Sequence, residues 1–314
     1  MSRSRTPFRS RTFGLLVAVA SVVTALVTGL GTAQPAGAAQ PRTDARADAA
    51  QTALSPRAEW APAASAPIHP GTMMYTAGAQ CTGNFVFTDT AGDTFLGYAA
   101  HCAGTGSSTD TNGCQTDSVP LGTAVDLTND GNLASEGSIV GHGTLAYSSW
   151  ITEHQLGTTD ANTCAYNDLA LVRIDAGDVG KVNPSVPFWG GPSGIDTNGT
   201  AAGDRVWTYG NSSLRGGVSL LSPHTGISLG DQAADGGWSH PLYTLSPGIP
   251  GDSGSGFMSP GGQAVGVLST LGLAPLPLSN NIGDLSRELA FAQNHSGIAG
   301  LRLVNGTEPF DPVL

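Results

Sequence analysis

From about residue 68 onward the chain is cut into short apolar runs by glycine, asparagine, aspartate and proline. The runs cover 83–88, 94–100, 137–147, 168–174, 205–209, 217–221 and 262–270. Segments of that length between turn-forming residues make strands, because each turn residue relieves a backbone that must reverse. With 44 glycines and only 12% charged residues, the pattern describes an all-β protein rich in turns, built as two antiparallel barrels or a sandwich. Segment 285–294 breaks the pattern. Leu285, Leu289 and Ala292 stand at helical spacing, with Asp284 as a candidate N-cap and Gly297 as a stop, so one C-terminal helix is expected. A stretch of about 240 residues is enough for one compact unit of two packed barrels.

The N-terminus has a different composition. Arg3, Arg5, Arg9 and Arg11 precede an uncharged, largely apolar stretch at 13–30, and Ala36-Gly37-Ala38 offers small residues to a signal peptidase. This reads as a signal peptide over 1–38, removed on export. The apolar stretch is long enough for a membrane span, but the small-residue site and the lack of a second span favour removal. The arginines are not adjacent, so a twin-arginine signal is not indicated. Residues 39–67, rich in Ala, Pro, Gln, Arg and Asp, read as a pro-segment or linker before a domain at 68–314. The expected location is extracellular, with no membrane contact after the signal is removed.

Past residue 66 the thirteen basic residues fall to six and the 24 acidic residues to 21, a formal charge of −15. Such a chain repels a phosphate backbone, so nucleic acid is excluded as a partner. Cys81, Cys102, Cys114 and Cys164 all follow the signal, which fits an oxidising compartment. Four cysteines allow three pairings, and the sequence does not choose among them. No Cys-x-x-Cys or paired-histidine spacing indicates zinc, and no cofactor or metal is expected. Asp126-Leu127-Thr128-Asn129-Asp130-Gly131-Asn132 resembles part of a calcium loop but lacks its distal glutamate, so it reads as a solvated turn.

Three segments carry candidate chemistry. In Pro250-Gly251-Asp252-Ser253-Gly254-Ser255-Gly256 a serine is set among glycines ahead of a strand. Glycine lets the backbone turn sharply, and the amides of Gly251 and Ser253 could converge on a developing oxyanion. In Gly97-Tyr98-Ala99-Ala100-His101-Cys102 an apolar strand ends in a histidine, the side chain able to take and return a proton near neutral pH. In Asn167-Asp168-Leu169-Ala170-Leu171 a carboxylate opens a buried strand, where it needs a donor. Each has an ordinary reading when taken alone: loop composition, a strand-end histidine, a turn cap.

Together the Ala-Ala-His-Cys, Asn-Asp-Leu-Ala-Leu and Gly-Asp-Ser-Gly blocks, in the order His, Asp, Ser, resemble the chymotrypsin-like (trypsin-fold) serine proteases of secreted bacterial type. The resemblance runs over roughly 68–272. It implies two antiparallel six-stranded β-barrels with the active site between them, and Ser253 as nucleophile, His101 as general base and Asp168 as its orienting partner. It further implies an oxyanion hole at Gly251 and Ser253, a Cys81–Cys102 disulfide anchoring the histidine, and a Cys114–Cys164 disulfide across the long stretch between His101 and Asp168. The primary pocket would lie at Pro247, Gly248, Ser269 and Thr270. Trypsin-type members carry an acidic residue where this chain has Pro247, and glutamate-specific relatives carry a histidine where it has Leu268, so a neutral, apolar pocket is expected. No Ile-Val-Gly-Gly-like start supplies a free amino terminus for Asp252, and the sequence names no other partner for it. The expectation is a monomeric secreted endopeptidase acting on polypeptides. The rivals are a catalytically inactive binding protein of the same fold and an exported β-sandwich adhesion module.

Overall fold

Six of the seven glycine-punctuated runs hold strands, as the sequence predicts, but the two sheets they build are not alike. The structure, a computed structural model, describes residues 59–107, 110–231, 233–246, 248–272 and 279–313. The signal segment, most of 39–67, and Pro247 lie outside them.

The N-terminal half contributes β1 (Met73–Thr76), β2 (Ala79–Thr82), β3 (Val86–Thr88), β4 (Thr94–Ala99), β5 (Ala124–Asn129), β6 (Ser138–Ser148) and β7 (Leu169–Ile174). The C-terminal half contributes β8 (Arg205–Tyr209), β9 (Pro223–Ser228), β10 (Ser239–Thr244), β11 (Gly256–Met258), β12 (Ala264–Gly272), β13 (Ser279–Asp284) and β14 (Arg302–Leu303). Strands β8 to β13 close into a six-stranded barrel in the order β10-β13-β12-β11-β8-β9. The other eight form a sheet in the order β14-β3-β4-β7-β6-β5-β1-β2. Every pairing between these strands is antiparallel.

The expectation of two six-stranded barrels therefore needs correction. The second barrel is present; the first is an eight-stranded sheet that curls until β2 touches β4 without pairing to it. The extra edge strand, β14, follows the C-terminal helix and pairs with β3. Segment 217–221, expected as a strand, instead holds a single 3₁₀ turn at Ser219–Leu221. The supposed calcium-loop fragment is the end of β5 and the turn after it, and Asp126 Oδ1 meets Nδ1 of His142 on β6 at 2.8 Å.

Three α-helices among the described residues complete the fold: α1 (Ser149–Leu156), α2 (Ala161–Tyr166) and α3 (Leu285–His295). The first two lie in the long stretch between His101 and Asp168. Helix α3 is the predicted one. Asp284 caps it by accepting from the Arg287 amide at 2.9 Å, and Gly297 follows with φ +73°. Its buried face is Leu285, Glu288, Leu289 and Ala292. No helix among the described residues is long and apolar enough to cross a membrane.

A large core of Phe85, Phe87, Leu96, Tyr98, Leu145, Trp150, Leu171 and their neighbours fills the eight-stranded sheet and reaches under α3; Val206, Leu242, Phe257, Val265, Leu268 and Ile282 fill the barrel. Upstream of β1, Trp60 packs on the large core, the Ala61 amide donates to the Val182 carbonyl at 2.9 Å, and Asn183 Nδ2 donates back to the Ala61 carbonyl at 2.7 Å.

Candidate active site

Strand register brings His101 to Asp168. In the antiparallel pairing of β4 with β7, Ala99 lies opposite Leu169, so the residues leaving β4 and those entering β7 share one end of the sheet. The Ala100 amide donates to the Asp168 carbonyl at 2.9 Å, and His101 sits in the short turn Ala100–Ala103 directly after. Residues 67 apart in sequence thereby become neighbours.

Asp168 is buried and its carboxylate is fully engaged. Oδ1 accepts from the His101 amide at 2.8 Å; Oδ2 accepts from His101 Nδ1 at 2.7 Å and from Ser269 Oγ at 2.6 Å. Three donors satisfy the one carboxylate, which would otherwise be costly to bury. Burial works to lower the imidazole pKa, but the charge and hydrogen bond of Asp168 outweigh it, and the net shift is upward from 6.5. With Nδ1 committed to Asp168, the free basic position of a neutral ring is Nε2.

Ser253 comes from the turn before β11, and ties to the eight-stranded sheet hold that turn. The Thr82 amide donates to the Ser253 carbonyl at 2.8 Å. Thr82 follows Cys81, and Cys81 is bonded to Cys102, the residue after His101. One disulfide and one hydrogen bond thus link the serine turn to the histidine turn. Gly254, at φ +87°, packs where a Cβ would strike the Thr82 carbonyl and the Ala99 amide. Gly251, at φ +98°, leaves no room for a Cβ beside Gln80. These two positions explain why glycine flanks the Asp-Ser pair.

The orientation of two peptide groups follows from their carbonyls. The Pro250 carbonyl accepts from Ser212 Oγ at 2.5 Å, and the Asp252 carbonyl from the Ser255 amide at 3.0 Å. In a trans peptide the N–H points opposite to the C=O, so the Gly251 and Ser253 amides are turned away from those partners. Neither is donated to another described residue. The Gly251 carbonyl is gripped by Thr82 Oγ1 at 2.7 Å and Gln80 Nε2 at 3.1 Å.

Asp252 has the partner that the sequence left open. Arg215 reaches it with both guanidinium nitrogens, Nη1 to Oδ1 and Nη2 to Oδ2, the latter at 2.7 Å, and the Ile249 amide donates to Oδ2 at 3.0 Å. The pair is buried, with side chains 7% and 3% exposed. Arg215 Nη2 also contacts His224 Nε2 at 2.9 Å, and burial followed by the guanidinium charge lowers the His224 pKa.

His101, Ser253, Gly251, Gly248, Ser269 and Thr270 all line one cleft of about 570 Å³, together with Gln80, Trp150, Ile249, Pro250 and Leu268. Of the expected pocket residues, Pro247 is outside the described residues. Ser269 does more than form a wall, since its hydroxyl holds Asp168. The Gly248 amide donates to Asn280 Oδ1 at 2.9 Å, and Asn280 Nδ2 donates to Thr244 Oγ1 at 2.7 Å. Both disulfides implied by the resemblance are formed, Cys81–Cys102 and Cys114–Cys164. The two places where cysteines meet a histidine or an acid therefore offer no thiolate to a metal.

No family model matches this chain, and no curated protein matches it. It is similar to three solved bacterial structures, among others. Thermobifida fusca protease A is 19% identical, with 76% of this chain and 99% of that one covered at a TM-score of 0.46. The Nocardiopsis protease is 21% identical, covering 75% and 98% at 0.43. The Cellulomonas bogoriensis chymotrypsin is 19% identical, covering 76% and 98% at 0.42. At these identities and TM-scores the likeness assigns neither activity nor substrate.

Proposed function

We propose that the chain is a secreted serine endopeptidase that cleaves peptide bonds through Ser253, His101 and Asp168. The observation that carries this reading is the Asp168 carboxylate holding both the amide and Nδ1 of His101, on a wall of the cleft that Ser253 also lines. A structural histidine needs one partner and no access; this one is clamped to an anion and still 19% exposed.

In this mechanism Nε2 of His101 takes the Ser253 hydroxyl proton as Oγ attacks the scissile carbonyl carbon. The carbonyl π pair moves onto oxygen, and the Gly251 and Ser253 amides donate to the oxyanion. The imidazolium, stabilised by Asp168, returns its proton to the leaving amine as the C–N bond breaks. Water then hydrolyses the acyl-enzyme by the same relay. The tight Asp252–Arg215 pair fixes the peptide between the two oxyanion donors, so preorganisation does not need a newly freed amino terminus. Gly248, Ile249, Leu268, Ser269 and Thr270 give the cleft no charged side chain on that side, which supports a medium or bulky apolar residue before the cut. Export rests on the 1–38 leader and fits the two disulfides.

The test is a Ser253→Ala variant assayed beside the wild type on a panel of chromogenic peptides, with labelling by a serine-directed phosphonate. Wild type should label and prefer apolar residues, and the variant should lose on the order of 10⁴-fold or more in kcat. Substantial residual turnover in the variant refutes the nucleophile assignment; a strong preference for arginine refutes the pocket.

A further inference from the structure

The side of Asp168 away from the cleft is lined by carboxyl groups. Its main-chain amide donates to Glu288 Oε1 at 2.9 Å, and Glu288, on α3, is fully buried. The preceding residue is held the same way: Asn167 Nδ2 donates to Oε1 of Glu153, on α1, at 2.9 Å. Glu153 is also fully buried, and Ser149 Oγ closes the arrangement on the Asn167 carbonyl at 2.7 Å. Two helices thus grip the two residues that lead into β7. Gly283 lets Glu288 lie flush, since a Cβ there would strike Oε1 and crowd the Tyr166 carbonyl.

The groups facing Glu288 are Asp168 ahead of β7, Asp284 at the start of α3, Glu153 on α1 and the Tyr147 hydroxyl of β6. No Lys or Arg forms an ion pair with Glu153 or Glu288 among the described residues. Glu288 Oε2 is buried with no donor. Glu153 Oε2 lies 3.5 Å from Cys114 Sγ. That sulfur is in a disulfide and carries no proton, so the contact is a hydrogen bond only if the carboxyl supplies one.

We propose that Glu288 is a positioning residue for the triad: as a neutral carboxylic acid, backed by Glu153, it holds the Asp168 main chain so that the carboxylate meets both N–H groups of His101. This rests on the reading of the site given above. With both glutamates neutral, Asp168 is the one carboxylate of the group that contacts His101, while Asp284 meets His240. Burial drives both glutamates upward, Glu153 to about 9 and Glu288 well above the ordinary value, against the hydrogen bonds each accepts; the charge of Asp168 adds to the shift.

The test compares Glu288→Gln and Glu288→Leu with wild type and Ser253→Ala, reading kcat, KM, the acid limb of kcat/KM and the NMR titration of His101. Glutamine replaces a neutral acceptor with another, so kcat should stay within about twofold and the acid limb should not move. Leucine leaves the Asp168 amide without an acceptor, and kcat should fall roughly 10- to 100-fold at nearly constant KM, as loss of alignment does. If Glu288→Gln lowers the His101 titration, an anion was removed and the proposal fails. If Glu288→Leu folds with wild-type kcat and acid limb, the proposal fails too. Should the leucine variant not fold, a reduced kcat or a lowered acid limb in the glutamine variant overturns it, and wild-type values for both support it. The Ser253→Ala control and the NMR titration separate this failure from failure of the protease reading, because the titration needs no activity.

Discussion

Replacing Glu153 with glutamine should make this protein more stable, and increasingly so as pH rises. Glu153 is fully buried, faces no cation among the described residues, and is pushed to about 9 by burial, with a hydrogen bond from Asn167 in opposition and a smaller push from Asp168. In the unfolded chain it ionises near 4.5. Between those values the folded state holds one proton that the unfolded state has released. Because the folded pKa is raised, the stabilising contribution is fully present below the unfolded value and is lost as pH climbs towards the folded one. Each pH unit in that window removes about 1.4 kcal/mol, so pH 5 to pH 8 removes about 4 kcal/mol. Glutamine has no proton to lose and keeps an oxygen for Asn167. The assay is thermal unfolding of Glu153→Gln against its parent at pH 5, 6, 7 and 8, both in a Ser253→Ala background to prevent self-digestion. The curves should nearly coincide at pH 5 and separate to roughly 8–16 °C at pH 8, the variant higher. A difference that does not change with pH means that Glu153 is ionised in the fold, and the reasoning is refuted.

Three further predictions concern the cleft and its supports. Arg215→Met should cost about 3–5 kcal/mol, because it leaves Asp252 buried without its cation, and should abolish turnover by freeing the Gly251 turn; Arg215→Lys should recover part of the stability but not the two-pronged contact, and calorimetry with kcat/KM measurements will show whether it does. The acid limb of kcat/KM should fall above 6.5, since His101 must be neutral to act as base and its pKa is raised; a limb below that value contradicts the Asp168 contact as the dominant influence. If the chain is exported as proposed, Edman sequencing of the mature protein should find a start at or upstream of Trp60, because Trp60 and Ala61 are docked on the domain; a start at Ile68 would show those contacts to be dispensable.

What was legible in the sequence was what its periodicity and local chemistry encode. Strands β4 and β7 stood out because nearly all their residues are buried. Helix α3 stood out because its apolar positions and its Asp284 cap follow the helical repeat. Strands β1 and β2, four residues each, are too short to declare a period. β10 and β13 carry His240, Pro241, Asn280 and Asn281, residues that read as turns and become strands because closing the barrel pairs them. The first sheet departs from the expected barrel for a related reason: its extra strand β14 has two residues and gains its identity only by adding to β3. At the site, His101, Asp168 and Ser253 were visible because each ends or begins a recognisable run. Gln80, Thr82 and Arg215 were not, since their work is to reach across from another turn, and nothing in their neighbours signals it. Ser269 was visible as a wall residue while its hydroxyl bond to Asp168 was not.

The scarcity of cations ties these supports together. Past residue 66 six basic residues face 21 acids, yet Asp168, Asp235, Asp252, Asp284, Glu153 and Glu288 are all buried. Arg215 is the only one of the six bases that is not exposed, and it goes to Asp252. Imidazoles serve two others: His101 for Asp168, and His240, held between Asp231 at 2.6 Å and Asp284 at 2.9 Å, with its pKa raised by those carboxylates despite burial. Asp235 is satisfied by neutral donors, the Gly237 amide and the Ser239 hydroxyl. Glu153 and Glu288 have none of these, one neutral donor apiece being too little for a buried anion. Protonation is the remaining way to bury them, and it suits their place: a neutral acid can accept from the backbone beside Asp168 without competing for His101, which an anion in the same position could not do.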